Sequence, residues 1–165
     1  MIVRKTSVGD YPFVSRIYAQ ARDFMRATGN FGQWKDGYPA PEMIYRDIDA
    51  GRSHVCVHDN EITGVFYFGV EREPTYRKID GQWLNDDPYG VVHRIATSRS
   101  VKGAGAFCLQ WCFGQCKNLR IDTHRDNTPM RNLLSKLGFA YCGIIWMEDG
   151  DERLAFQKVD NVDMR

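Results

Sequence analysis

Apolar and polar positions along the chain recur in two periods. "IVRKTS" at residues 2–7 fits a short first strand. From Asp10 and Pro12 a helical period sets Phe13, Ile17, Ala21 and Phe24 on one face, and Gly29 is placed to end it. "FGQWKDGYPAP" interrupts this pattern as an aromatic, glycine-bearing loop, after which Pro41 opens a second helix predicted to run to about Gly51. "SHVCVHD" and "EITGVFYFGVE" read as two strands joined through Asp59 and Asn60 in a hairpin.

No steady period runs through "REPTYRKIDGQWLNDDPYG", which is expected to be a long loop of the functional or mobile kind. "VVHRIAT" is the fourth strand of the pattern, and "SRSVKGAGAFCLQWCF" leads from it into a helix over about 103 to 117. "LRIDTH" is a fifth strand and "TPMRNLLSKL" a helix stopped by Gly138. "FAYCGIIWM" and "ERLAFQKV" form a closing hairpin across "EDGD". This order predicts an α/β (α+β) fold, a mixed sheet layered with helices, in one domain over residues 1–165.

Composition narrows the partners. An apolar fraction of 43%, a charged fraction of 26% and a formal charge of +1 describe an ordinary globular protein, with no surplus charge for nucleic acid or an anionic membrane. The first residues carry no apolar run of signal-peptide length, and no later stretch is long enough to span a bilayer, so a cytoplasmic protein is expected. Five cysteines, an odd number, suit a reducing compartment. Cys108, Cys112 and Cys116 line one helical stripe; three thiols on one straight helix make a poor metal cage, and no metal is expected.

The glycines at 103 and 105 are costly in regular structure, so their use between a strand and a helix calls for a reason. A strand that ends in a glycine turn and opens a helix presents unpaired N–H groups at the positive end of the helix dipole. That arrangement suits a phosphate, and Lys102 adds a charge. The P-loop is excluded because its Gly-Lys-Ser/Thr ending is absent, and a dinucleotide fingerprint would need glycine where Cys108 stands.

"SVKGAG" at residues 100–105, followed by "IDTHRDNTPMRNLLSKLGF", resembles the two hallmark segments of the GNAT superfamily of N-acetyltransferases, Gln/Arg-x-x-Gly-x-Gly/Ala and strand, asparagine, short helix, Leu-Gly-Phe. Gly103 and Gly105 match, while Ser100 replaces the usual Gln or Arg. The element order agrees over nearly the whole chain. The resemblance implies a mostly antiparallel sheet with splayed central strands, helices on both faces, and acetyl-CoA as cosubstrate. Its pantetheine arm would pair with the backbone of Ile95, Ala96 and Thr97. Its diphosphate would sit on amides of Ser100, Val101, Lys102, Gly103, Ala104 and Gly105, with Asn127 as the family's asparagine.

The family's usual acid, a tyrosine seven residues after the asparagine, is replaced by Leu134. The resemblance therefore leaves the thiolate to depart unassisted, or with a proton from Tyr141, Ser135 or water. An amine acceptor must lose a proton, so a base is required. Strand parity puts Arg120, Asp122 and His124 on one face of "LRIDTH" and sends His93 and Arg94 to opposite faces of "VVHRIAT". Asp122, His124 and His93 are the candidate catalytic residues. Glu71 and Glu73 stand where the family often meets substrate, with Glu73 read first as a surface carboxylate.

Trp34, Tyr38, Tyr76 and Trp83 are expected, with Glu71, to wall the acceptor pocket, and Asp36, Glu42 and Asp47 could draw in a cationic amine. The resemblance implies a small-molecule or peptide amine as acceptor, and a homodimer stays open. A catalytically weak acyl-CoA-binding or sensory module on the same fold is the rival reading, motivated by Leu134, and a nucleotide-phosphate binder is a third.

Overall fold

The computed structural model describes residues 1–160; residues 161–165 of the expected domain lie outside the described residues. Eight strands form one sheet in the order β1-β2-β3-β5-β6-β8-β7-β4. In chain order these are β1 (Ile2–Lys5), α1 (Tyr11–Ala27), α2 (Pro41–Asp49), β2 (Ser53–His58), β3 (Glu61–Val70), β4 (Asp80–Gly81) and β5 (Gly90–Thr97). They continue with α3 (Ala104–Cys116), β6 (Asn118–Thr123), α4 (Thr128–Lys136), β7 (Ala140–Trp146) and β8 (Glu152–Val159). All neighbouring strands are antiparallel except β5 and β6. Those two are bridged by α3, the crossover a parallel pair requires.

Alternation along the strands feeds two cores, because successive side chains leave opposite faces of the sheet. Val55 and Val65 meet Val14, Ile17 and Tyr18 of α1 and Ile44 of α2. Their neighbours Cys56 and Phe66 meet Cys108, Leu109 and Cys112 of α3 and Leu134 of α4. Each such apolar side chain contributes about 1.5–3 kcal/mol by leaving water. Helices thus cover both faces, as expected.

The buried stripe of α1 differs from the expected one. Val14, Ile17 and Tyr18 are buried, whereas Phe13 is 52% exposed. Tyr18 can take the inner position because its hydroxyl donates to the carbonyl of Arg94 at 3.1 Å. Among the described residues no helix is long and apolar enough to cross a membrane.

The segment 72–90 is held down more firmly than an irregular sequence predicts. It contains a single 3₁₀ turn, Pro74–Tyr76, and the short strand β4 paired to β7. Beneath it lies an amide cluster. Asn118 Nδ2 donates to Asn85 Oδ1 (3.0 Å) and to the Pro88 carbonyl (3.0 Å), and Gln157 Nε2 donates to Asn118 Oδ1 (2.7 Å). The guanidinium of Arg120 lies between the rings of Trp83 (4.2 Å) and Tyr89 (4.0 Å) and donates to the Asn85 carbonyl at 2.7 Å.

Candidate active site

The ladder between β5 and β6 ends at its second residue pair: Gly90 stands opposite Leu119 and Val91 opposite Arg120, and the strands then diverge. From Val92 to Thr97 the edge of β5 makes no ladder with β6. A cavity of about 840 Å³ opens there and continues under the loop between α1 and α2.

A bulge in β5 decides what faces this cavity. His93 is opposite Tyr67 and Ala96 opposite Val65, so β5 carries one residue more than β3 between them. Arg94 takes up the surplus with φ +49°. The expectation that His93 and Arg94 point to opposite faces fails for this reason, since parity holds only in an unbroken strand; His93, Arg94 and Ile95 all line the cavity.

Arg94 is consumed by internal partners. Its Nε and Nη2 bind both oxygens of Asp47 (2.8 and 2.9 Å), and Nη1 donates to the Tyr38 hydroxyl (3.0 Å). Burial pushes the Asp47 carboxyl up against the pull of Arg94. Asp47 is therefore closed off as an amine attractor, while Trp34 and Tyr38 do line the cavity.

His93 meets a carboxylate that the sequence reading ranked low. Its Nε2 lies 3.0 Å from Glu73 Oε2, and both side chains are about one-fifth exposed. Glu73 caps the 3₁₀ turn, with Oε1 accepting from the Thr75 hydroxyl at 3.0 Å, and its own N–H donates to the Tyr89 hydroxyl at 2.9 Å. Burial raises the Glu73 carboxyl, but the His93 contact and charge and the Thr75 bonds outweigh it and hold it below the ordinary value. Asp122 also lines the cavity; its Oδ2 accepts from the Tyr76 hydroxyl at 2.7 Å, and burial pushes its carboxyl up.

Several expected site residues lie elsewhere. Tyr76 is 2% exposed and stands behind Asp122, and Trp83 donates to the Tyr76 carbonyl (3.0 Å) while covering Arg120. Glu71 accepts from the Tyr67 hydroxyl and is outside the cavity lining. His124 also falls outside it: its Nδ1 accepts from the Asp126 N–H at 3.0 Å, and the ring packs under Gly32, where a Cβ would lie 2.8 Å from Nε2. The strand has ended before His124, so its alignment with Asp122 does not carry it into the cavity.

On the opposite side, Ile95 and Asn127 line the cavity, and Ala96 is buried toward α1. Ser100, Lys102 and Gly103 are exposed at the start of α3. The Ser100 hydroxyl is paired with that of Ser98 at 2.7 Å. Gly103 has φ +85° and open space where a Cβ would stand, so glycine is required there by conformation. At Gly105 a Cβ would come within 3.3 Å of the Leu133 side chain, which would have to give by a few tenths of an ångström.

Asn127 caps α4 through Met130 N–H (3.2 Å) and donates to Gln33 Oε1 at 2.9 Å. The same oxygen accepts from Asn30 Nδ2 (2.9 Å) and, at 3.5 Å, from the Thr123 hydroxyl. Gln33 thereby ties the loop between α1 and α2 to the cap of α4. Nothing in the sequence singled it out, because a glutamine in a polar loop carries no pattern.

Leu134 is fully buried and offers no proton; Ser135 and Tyr141 line a separate groove between α4 and the β7–β8 hairpin. All five cysteines are free, and among the described residues no group of three or more His, Cys, Asp or Glu side chains could hold a metal ion.

Residues 16–139 match the family model described as the acetyltransferase (GNAT) family. An acetyltransferase of the GNAT family from Streptococcus agalactiae is 32% identical, with 96% of this chain and 95% of that chain covered and a TM-score of 0.88. A GNAT family acetyltransferase from Listeria monocytogenes (18% identity, 95% and 93% covered, TM-score 0.70) shares the fold. So does a ribosomal-protein-alanine N-acetyltransferase from Brucella melitensis (16%, 97% and 100%, TM-score 0.64). No curated protein matches the chain.

Proposed function

The chain belongs to the GNAT acetyltransferase family, and on that premise we propose that it acts as one catalytic domain, moving the acetyl group of acetyl-CoA to a primary amine by direct attack in a ternary complex. Acetyl-CoA supplies an activated thioester carbonyl. The free edge of β5 from Val92 to Thr97 suits an extended amide-bearing arm, held as an added strand. The amides from Ser100 to Gly105, at the start of α3 and with no Cβ over Gly103, suit a diphosphate.

The observation that carries the reading is the His93–Glu73 contact in the same cavity as that open edge. Glu73 is held ionised, so it accepts from Nε2 of His93, and this leaves Nδ1 as the basic nitrogen. An acceptor ammonium gives its proton to this pair. The freed amine forms the new N–C bond as the C–S bond breaks, the electron pair leaves on sulfur, and the second amine proton passes to the departing thiolate or to water. A thiol of ordinary pKa about 8.5 is a fair leaving group, so the buried Leu134 does not stop the reaction. Asp122 adds a second carboxyl beside the pair.

The reading is tested by mixing the protein with acetyl-CoA and a panel of primary amines and following free thiol. Steady release with at least one amine, lost in His93→Ala, is expected. Leu134 favours the other reading, an acyl-CoA-binding module; saturable CoA binding without thiol release from any amine would decide for it.

A further inference from the structure

Two guanidiniums that line the cavity, Arg46 and Arg153, have no carboxylate within 4.0 Å among the described residues, and Arg46 is exposed. Asp47 is closed by Arg94 and Glu73 by His93, and at the rim Lys35 is bound to Asp151. Arg153 lines the same cavity and is only 7% exposed, yet its guanidinium reaches no carboxylate within 4.0 Å among the described residues. Its Nη1 and Nη2 donate to two backbone carbonyls, of Glu152 (2.8 Å) and Gln33 (3.1 Å). A guanidinium has five N–H donors; Asp122 and Asp151 act on the charge of Arg153 only through space, so donors remain for a direct carboxylate contact. Its position is fixed by register: Ala155 of β8 stands opposite Asp122 of β6, and Arg153, two residues along, leaves the same face.

We propose, resting on the His93–Glu73 reading above, that the acceptor is a small free amino acid with an uncharged side chain. Its amine faces His93 and Glu73, and its carboxylate completes Arg153 in a paired guanidinium contact. The side chain lies among Trp34, Met25 and Met43, which also line the cavity. Asp36, Glu148 and Asp149, also in the lining, repel a second carboxylate and so select against acidic side chains.

The experiment compares L-leucine, L-leucinamide and 3-methylbutylamine, which differ only in the carboxylate. Thiol release and calorimetry on the CoA-saturated protein are both measured. Leucine is expected to exceed the other two by about 10- to 100-fold in kcat/KM and in affinity, the range of a hydrogen-bonded charge pair. Arg153→Gln brings that ratio near one, and Arg153→Lys restores part of it; the lysine variant alone, by a reduced ratio, decides if the glutamine variant does not fold. Equal or better use of the two carboxylate-free analogues by the wild type, no heat with leucine, or an unchanged ratio in Arg153→Gln overturns the inference. CoA binding without thiol release from any amine overturns the acetyl-transfer reading instead, and leucine calorimetry still decides the carboxylate contact.

Discussion

The two sides of the cavity are built from different materials. The side proposed for acetyl-CoA consists of backbone: a strand edge with no ladder partner, a left-handed glycine and the start of a helix. The side proposed for the acceptor consists of side-chain pairs joined across long stretches of chain. Glu73 and His93 are 20 residues apart, Tyr76 and Asp122 46, and Arg94 and Asp47 47. A backbone site tolerates changes such as Ser100 in place of Gln or Arg, since the donors are amides. A side-chain site changes its chemistry with each substitution. On the proposed reading, the common cosubstrate and the individual acceptor meet parts with different tolerance to mutation.

That contrast can be broken most sharply at the His93–Glu73 pair. Glu73→Gln and His93→Ala are each expected to lower kcat by about 10²- to 10⁴-fold, the worth of a positioned base, with CoA affinity nearly unchanged. Steady-state kinetics beside CoA calorimetry would show it, and an equal loss of both would erase the distinction between the two sides. At the backbone side the expected effect is smaller and of the other kind. Gly103→Val forces a branched residue toward φ +85° at a strain of about 1–2 kcal/mol. CoA binding should then weaken about tenfold, while the turnover of bound enzyme changes little.

The uneven legibility of the sequence follows from the same contrast. Glycine at 103 announces a left-handed turn because few other residues adopt one cheaply, so the loop, the helix after it and the family pattern are readable. Arg94 adopts a left-handed φ too, but arginine gives no such warning, and the bulge it makes turns both His93 and Arg94 into the cavity. The aromatics of the long loop misled for a related reason. Tyr76 and Trp83 have the size and polarity of pocket walls, and only the fold shows them spent on Asp122 and Arg120. Glu73 looked like surface until the 3₁₀ turn brought it under His93.

A finer test concerns Asp122. Its folded carboxyl is raised by burial, so its contribution to stability is fully present below the unfolded value and is lost as pH rises through the folded one. Asp122→Asn should therefore raise the melting temperature at pH 7–8 by roughly 2–4 °C, as for ~1 kcal/mol in a chain of this size, and the gain should vanish in acid. A lower melting temperature at neutral pH would show Asp122 to be comfortable as a carboxylate.

The smallest effect is expected far from the cavity, and it has the opposite sign. Arg4 holds the Asp10 carboxyl at about 2, against an ordinary 3.8. That stability is present above pH 4 and lost as pH falls toward 2. With Arg4 nearly half exposed, Asp10→Asn should cost only about 1 kcal/mol at pH 7, read by urea unfolding, and nothing near pH 2.

The amide oxygen of Gln33 has two lone pairs but three donors around it, and the Thr123 hydroxyl is the most distant. Thr123 is therefore the most loosely held donor in this part of the cavity wall. Turning it toward another polar atom would cost only that long 3.5 Å contact, while the two 2.9 Å amide bonds to Gln33 stay in place.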